Sequence, residues 1–325
     1  MTIHLKRVAL ALGAALPLTV TTGAFAADTY PTKSVRMIVG FAPGGGTDST
    51  ARPIAAKMGE LMGQQVIVDN RPGAAGNIAT ELVVGANPDG YTILMGTIAA
   101  LAINPSLFQK LPFDPEKDLA PVVQAVDSTN ILSLHPSVQA TSVKDLIALA
   151  KVKSLSSGSS GVGGTGHLAG ELFNVMAGVK LVHVPYKGGA PAMVALVAGE
   201  VQVVFATAAS AIPQIKANRI RGIAVTTAKR SALLPDMPSI SEAGLPGFDA
   251  NNWYGIVVPV KTPRAIVNRL NADVNKILAM PEIKTLLFNQ GLDVAGGTPE
   301  KFAAYMKSER IKWAKVIKES GAKAE

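Results

Sequence analysis

The chain contains no cysteine. This removes a disulfide framework, thiol nucleophiles, iron–sulfur clusters and thiolate zinc sites, and it leaves no residue for N-terminal lipidation. Aromatic residues make up only 5% of the sequence, with tryptophan at Trp253 and Trp313 alone. That is sparse for a carbohydrate binder, which stacks sugar faces on such rings. The formal net charge is +8, yet the basic residues are spread along the chain with no block of the density a nucleic-acid patch needs. The charge supports a weak bias toward acidic ligands and no nucleic-acid partner. Beyond the N-terminus no stretch approaches the ~20 uncharged apolar residues that span a bilayer.

What is present begins with His4, Lys6 and Arg7, an apolar run from Val8 to Val20, and Ala24-Phe25-Ala26. These are the charged, apolar and small-residue regions of a secretory signal peptide, residues 1–26, and the apolar run is too short for a membrane anchor. Cleavage after Ala26 would leave 325 − 26 = 299 residues and remove Lys6 and Arg7, lowering the formal charge from +8 to +6. The mature chain is expected to be a free, soluble protein of an envelope compartment, long enough for two domains.

The stretch around which the rest is organised is Phe41-Ala-Pro-Gly-Gly-Gly-Thr-Asp48. It follows the apolar run Val35 to Val39 and precedes Ile54, Met58, Leu61 and Met62 at helical spacing, so it reads as strand, glycine turn, helix. Glycines 44–46 allow close approach, and a helix beginning near Thr47 offers unpaired amides and a positive dipole end. The guest this chemistry suits is an anion. Asn70 to Asn77 is a second small-residue turn, and strand-like Tyr91 to Met95 follows. The alternation implies right-handed βαβ units and parallel sheets.

From Asn130 the alternation begins again, through the glycine–serine tract Ser156 to Gly166, the turn Tyr186 to Gly189 and the strand Val201 to Phe205. After Asn251 come Trp253-Tyr254-Gly255 and two amphipathic helical patterns. We read this as one domain of residues 27–128 and 251–325 and a second of residues 129–250. Two chain crossings, near residues 127–130 and 250–255, make a two-strand hinge. Two glycine loops in each half would then face one cleft, at the carboxyl ends of their strands.

Nearer alternatives fail on particular residues. Gly161 to Gly166 matches a dinucleotide fingerprint, but no acidic residue follows at the distance the ribose needs, and Phe41 to Asp48 lacks the Gly-Lys-Ser/Thr ending of a P-loop. His167 and His183 have no second histidine or carboxylate at metal-ligand spacing and read as structural. No Gly-x-Ser-x-Gly elbow leads a case for hydrolysis. Asp48 is either a ligand contact or a helix cap. Arg71 is either a carboxylate partner or a solvated loop charge.

At Phe41 to Asp48, Asn70 to Asn77, Val184-Pro-Tyr-Lys-Gly-Gly-Ala-Pro-Ala192, Leu234-Pro-Asp-Met-Pro-Ser239, Glu242-Ala-Gly-Leu-Pro-Gly247 and Trp253-Tyr254-Gly255 the sequence resembles the tripartite tricarboxylate transporter substrate-binding proteins, the Bug-type receptors. The resemblance covers nearly all the mature chain. It implies an α/β periplasmic binding-protein fold of type II that closes on a small organic carboxylate and delivers it to a two-component membrane permease. It implies a monomer without a cofactor, a metal site or catalytic residues. Carried onto this sequence, the carboxylate pincer would be Pro43, Gly44, Gly45, Gly46 and Thr47, with Thr97 lining the cleft; Asp48 and Arg71 remain candidate contacts on their own chemistry alone. Ser160, Gly161 and Thr165 would oppose them, with Ala206 and Thr207 at the end of the last strand. Where many relatives carry an acidic residue after the phenylalanine, this chain has Phe205-Ala206-Thr207, which implies a ligand without an amino group. The rival readings are an exported hydrolase of carboxylate esters and a sensory receptor presented to a membrane kinase.

Overall fold

In a computed structural model, residues 30–324 are described; the signal peptide expected at residues 1–26 lies outside them. The strands are β1 (Val35–Val39), β2 (Val66–Asn70), β3 (Thr92–Thr97), β4 (Leu119–Ser128), β5 (Asn130–Leu134), β6 (Leu155–Ser159), β7 (Leu181–Pro185), β8 (Val203–Thr207), β9 (Arg221–Val225), β10 (Asn252–Pro259) and β11 (Leu292–Val294). They form two sheets, ordered β11-β4-β10-β3-β1-β2 and β7-β6-β8-β5-β9. The α/β fold with two sheets is the one anticipated.

Both sheets are mixed, where alternation alone implied parallel ones. β1 runs parallel to β2 and β3, and β6 runs parallel to β7 and β8. β10 is antiparallel to β3 and β4, and β5 is antiparallel to β8 and β9. The exceptions include the strands at the crossings: β4 leads into β5 through Thr129, and β10 returns from the second sheet. A strand that arrives from the other sheet has no crossover helix to turn it parallel. The short β11 had no sequence signal of its own and adds an edge to β4.

Burial explains the central strands. Val35, Met37, Ile38 and Val39 of β1 are all inaccessible, as expected of a strand covered on both faces. The helix Gly46–Met62 buries Ala51, Ile54, Ala55, Met58 and Met62, a stripe at three- and four-residue spacing. It stops at Gly63, whose φ of 67° is the left-handed cap geometry. The late helices Arg264–Ala279 and Pro299–Ser320 pack on the first sheet, and the second also touches the helix Thr165–Ala177. Both tryptophans are core residues. Their indole Nε1 groups donate to one oxygen of buried Glu309, at 3.4 Å from Trp253 and 3.3 Å from Trp313.

The two passages between the sheets are hydrogen-bonded side by side. Thr226 N donates to Asn130 O at 2.9 Å, and Ala250 N donates to Thr226 O at 2.9 Å. Asn251 Nδ2 donates to Asp127 Oδ1 at 3.2 Å. Burial raises the Asp127 carboxyl to about 6, opposed by the hydrogen bonds from Asn251 and Gln124.

Candidate functional site

The loop after β1 is shaped before it is functional. Gly44 has φ 81°, a left-handed geometry that glycine adopts freely. Gly45 is extended, at φ −84° and ψ 171°, and caps the helix that starts at Gly46. Asp48 faces back into this turn. It accepts hydrogen bonds from Gly44 N at 3.0 Å, Arg52 Nε at 2.8 Å and Asn70 Nδ2 at 3.0 Å. Burial opposes ionisation there, but the Arg52, Gly44 and Asn70 hydrogen bonds hold the carboxyl below its ordinary range. Asp48 is thus neither the helix cap, a place Gly45 takes without a side-chain bond, nor a lining residue of the cavity described next; it clamps the turn.

A small cavity of about 40 Å³ lies where the two sheets meet. Gly45, Gly46, Thr47 and Thr97 line it from the first sheet's side, and Ser160, Thr165, Gly189 and Thr207 line it from the second's. Asn252 and Tyr254 of β10 complete the wall. No charged side chain lines it. The volume is room for about three waters, or for one carboxylate group. The two sides nearly touch: a Cβ at Gly46 would lie 2.7 Å from Tyr254 Oη and 3.2 Å from Thr207 Cγ2.

Two buried polar atoms in this wall, Thr97 Oγ1 and Asn252 Oδ1, have no hydrogen-bond partner. Such atoms are uncommon inside proteins and mark a place for a ligand or water. Tyr254 is buried, and burial raises its phenol above its ordinary value. Its oxygen accepts from Asn252 Nδ2 at 3.0 Å, and the Ser128 and Thr47 side chains also interact with it.

A larger chamber of about 960 Å³ adjoins the small cavity, and Phe41 and Ser160 line both. Its walls include Ala74, Ala75, Phe108, Gly161 and Val162, with Lys187 and Lys323 as its charged residues. The alanines at 74 and 75 have φ of 45° and 52°. That is left-handed backbone in a turn where glycine is the usual occupant.

Most residues singled out from sequence therefore meet at one place, and several do not. Pro43 and Gly44 shape the turn without lining either cavity. Arg71 lies 2.9 Å from Asp69 Oδ1 and is about half exposed, so of its two readings the structure shows the loop charge. Ala206 packs with Ile131 and Val225 in the core, while Thr207 faces the cavity. The alternation of β8 sends neighbouring side chains to opposite faces, so the cavity-facing position is Thr207. Asn252 and Tyr254 were not anticipated, and Gly189 only as part of a loop expected to face the cleft. The signal was in Trp253-Tyr254-Gly255: a period of two places 252 and 254 together, opposite buried Trp253.

The histidines are structural, as expected, but they act as a pair that their sequence spacing did not suggest. His167 and His183, far apart in sequence, stack at 3.9 Å between ring centroids. His183 Nε2 lies 2.6 Å from Ser159 Oγ, and His167 Nδ1 accepts from Gly163 N at 3.1 Å. Burial and the neighbouring His183 push His167 down to about 3, and burial pushes His183 down to about 4. The pair props the turn 160–164 from beneath. Ser159 is only 2% exposed and lines neither cavity, so this serine–histidine pair does not face a substrate. Among the described residues no group of three histidine, aspartate or glutamate side chains could hold a metal ion, and no helix is long and apolar enough to cross a membrane.

Two mixed sheets, with loops meeting over an uncharged pocket of donors, define an α/β solute-binding receptor. The chain belongs to the tripartite tricarboxylate transporter family of receptors, whose family model matches residues 50–322. It is 33% identical over 300 residues to BugT of Bordetella pertussis, covering 91% of this chain and 92% of BugT. Among solved structures it is similar to Rpa4515 of R. palustris with adipate, at TM-score 0.88 and 39% identity over 90% of this chain and 98% of that one. It is also similar to MatC of Rhodopseudomonas palustris with bound malate, at TM-score 0.85 and 30% identity over 89% of this chain and 100% of that one.

Proposed function

We propose that this protein is a periplasmic receptor that captures a small organic carboxylate and hands it to a two-component tripartite tricarboxylate-type permease. The observation that carries the reading is the uncharged 40 Å³ pocket. The amides at the start of helix Gly46–Met62 and the hydroxyls of Thr97, Thr165, Thr207 and Tyr254 are neutral donors around a space the size of one carboxylate. Asn252 Oδ1, an acceptor, takes a bridging water. The adipate and malate of the two solved relatives agree with this ligand class.

Each dipole contribution is only ~0.3 to 1 kcal/mol, and a hydrogen bond to a charged group is worth about 1.5 to 3. Loops from both sides must therefore act at once. In this reading residues 27–128 and 251–325 form one domain and 129–250 the other, and closure about the paired crossings brings the loops together. The closed surface is what a permease would read. The role is binding without turnover.

The test is native mass spectrometry for a co-purified ligand, followed by thermal shifts with mono-, di- and tricarboxylates. A ligand at a hundred times its dissociation constant stabilises by ~2.7 kcal/mol. A clear upward shift with at least one carboxylate is expected. A panel without any shift, or turnover of an ester by the purified protein, would overturn the reading.

A further inference from the structure

The small pocket has room for about one carboxylate group, and the adjoining chamber of about 960 Å³ is the space that offers itself to the remainder of a ligand. The walls of that chamber beyond Ser160 are mostly apolar, with Phe41, Ala75, Phe108 and Val162 among them. Its charged lining residues are Lys187 and Lys323, and no carboxylate lines it. Lys57, Lys117, Lys312 and Lys315 each pair with an acidic side chain. Among the described residues, Lys187 and Lys323 have no acidic group within ion-pair distance.

The two lysines reach the chamber from opposite sides. Lys187 sits in the turn after β7, next to Gly188, where an added Cβ would lie 3.3 Å from Ala42 Cβ across the cleft. Lys323 follows the last helix, and its segment is fastened by Ala324 N donating to Leu107 O at 3.0 Å. The ammonium is therefore carried on a pinned segment. Unpaired positive charge at the edge of a low-dielectric chamber concentrates anions there.

We propose that Lys187 and Lys323 form a second anion subsite that holds the distal carboxylate of a dicarboxylate with an apolar spacer. The first carboxylate occupies the small pocket, and the spacer, a chain or a ring, lies along Phe41, Ala75, Phe108 and Val162. An anion held between the lysines links the two sides of the cleft and favours the closed form. Ligands with a polar spacer gain little from these walls. The inference rests on the carboxylate-receptor reading and names its substrate class.

The experiment is calorimetry with adipate and with hexanoate, which share a six-carbon chain and differ in the second carboxylate, on the native protein and on Lys187→Gln, Lys323→Gln and the double variant. Adipate should bind the native protein on the order of tenfold more tightly than hexanoate. Each single variant should weaken adipate by about threefold, the range of a solvent-accessible ion pair, and the double variant should bind the two ligands alike. Hexanoate affinity should be unchanged throughout, as should the melting temperatures of the unliganded variants. Equal binding of adipate and hexanoate by the native protein, or a double variant that keeps the preference, overturns the second subsite and leaves the receptor reading standing. Failure of every carboxylate to bind the native protein overturns both.

Discussion

The two cavities that meet at Phe41 and Ser160 solve opposite problems. The inner one, about 40 Å³, sets amides, hydroxyls, an amide side chain and a phenol beside Phe41 and Ala99, without a charged group. The outer one, about 960 Å³, is mostly apolar with two lysines. In the proposed reading the inner wall would hold any carboxylate, because its donors answer to the headgroup alone. The outer wall meets what is attached, and discrimination between ligands belongs there. A receptor divided in this way can change its specificity without altering its anion grip.

The sharpest way to break that division is to put a charge in the inner pocket. Thr207 stands at the N-cap position of the helix Ala208–Lys216 without a side-chain cap bond, and aspartate suits that position as well as threonine, so Thr207→Asp should fold. Its carboxylate would face that of the ligand, and like charges in contact cost several kcal/mol. Binding of every carboxylate should fall on the order of a hundredfold or more, with melting temperature preserved. Thr207→Asp binding adipate as the native protein does would remove the inner cavity from the site.

Gly45→Leu tests space instead of charge. The backbone there is extended and accepts a side chain, and the added Cβ would meet only Ala42 O, at 3.7 Å. A leucine would fill the pocket while the protein stays folded. Loss of carboxylate binding in calorimetry with an unshifted melting curve is expected; retained affinity would mean the headgroup binds elsewhere. Gly46 cannot serve for this test, because its substituent would collide with Tyr254.

Tyr254→Phe removes one donor and keeps the volume. The expected loss is about 1.5 to 3 kcal/mol of binding free energy, the worth of a hydrogen bond to a charged group. The change should be the same for mono- and dicarboxylates, which is how an inner-pocket effect differs from an outer one. A loss confined to dicarboxylates would erase the distinction between the cavities.

How far this arrangement was legible from sequence follows the range of the contacts. Thr97, the last residue of β3, came from the family resemblance, whereas Phe41 to Asp48 announced itself because a glycine turn before a helix is a local signal. Asn252 and Tyr254 did not, because nothing local says which face of β10 meets the cleft. Ala206 was chosen from a family pattern, and only the pairing of β8 with β5 shows that it packs in the core while Thr207 faces out. The stacking of His167 on His183 is a contact between a helix and a strand. The outer chamber was invisible for the same reason: Phe108, Lys187 and Lys323 converge only when the C-terminal segment folds back beside Phe108.

The smallest expected effect concerns the turn 160–164, which is wall to both cavities and rests on His167 and His183. Their values in the fold, about 3 and about 4, lie below the ordinary histidine value near 6.5. On acidification the unfolded chain therefore takes up protons before the native one does. The stability tied to the neutral pair is complete above about pH 6.5 and is lost progressively as pH falls toward 4 and then 3. Between pH 7.5 and 6 the pair should cost about 1 kcal/mol, after allowance for the partial exposure of His183. Thermal melts across that range should show the decline, and His183→Gln, which can still hydrogen-bond Ser159, should flatten it. If the variant declines as steeply as the native protein, the pH dependence comes from other groups, with Asp127 at the crossing excluded by sign: its raised value makes the native state the one that binds protons first.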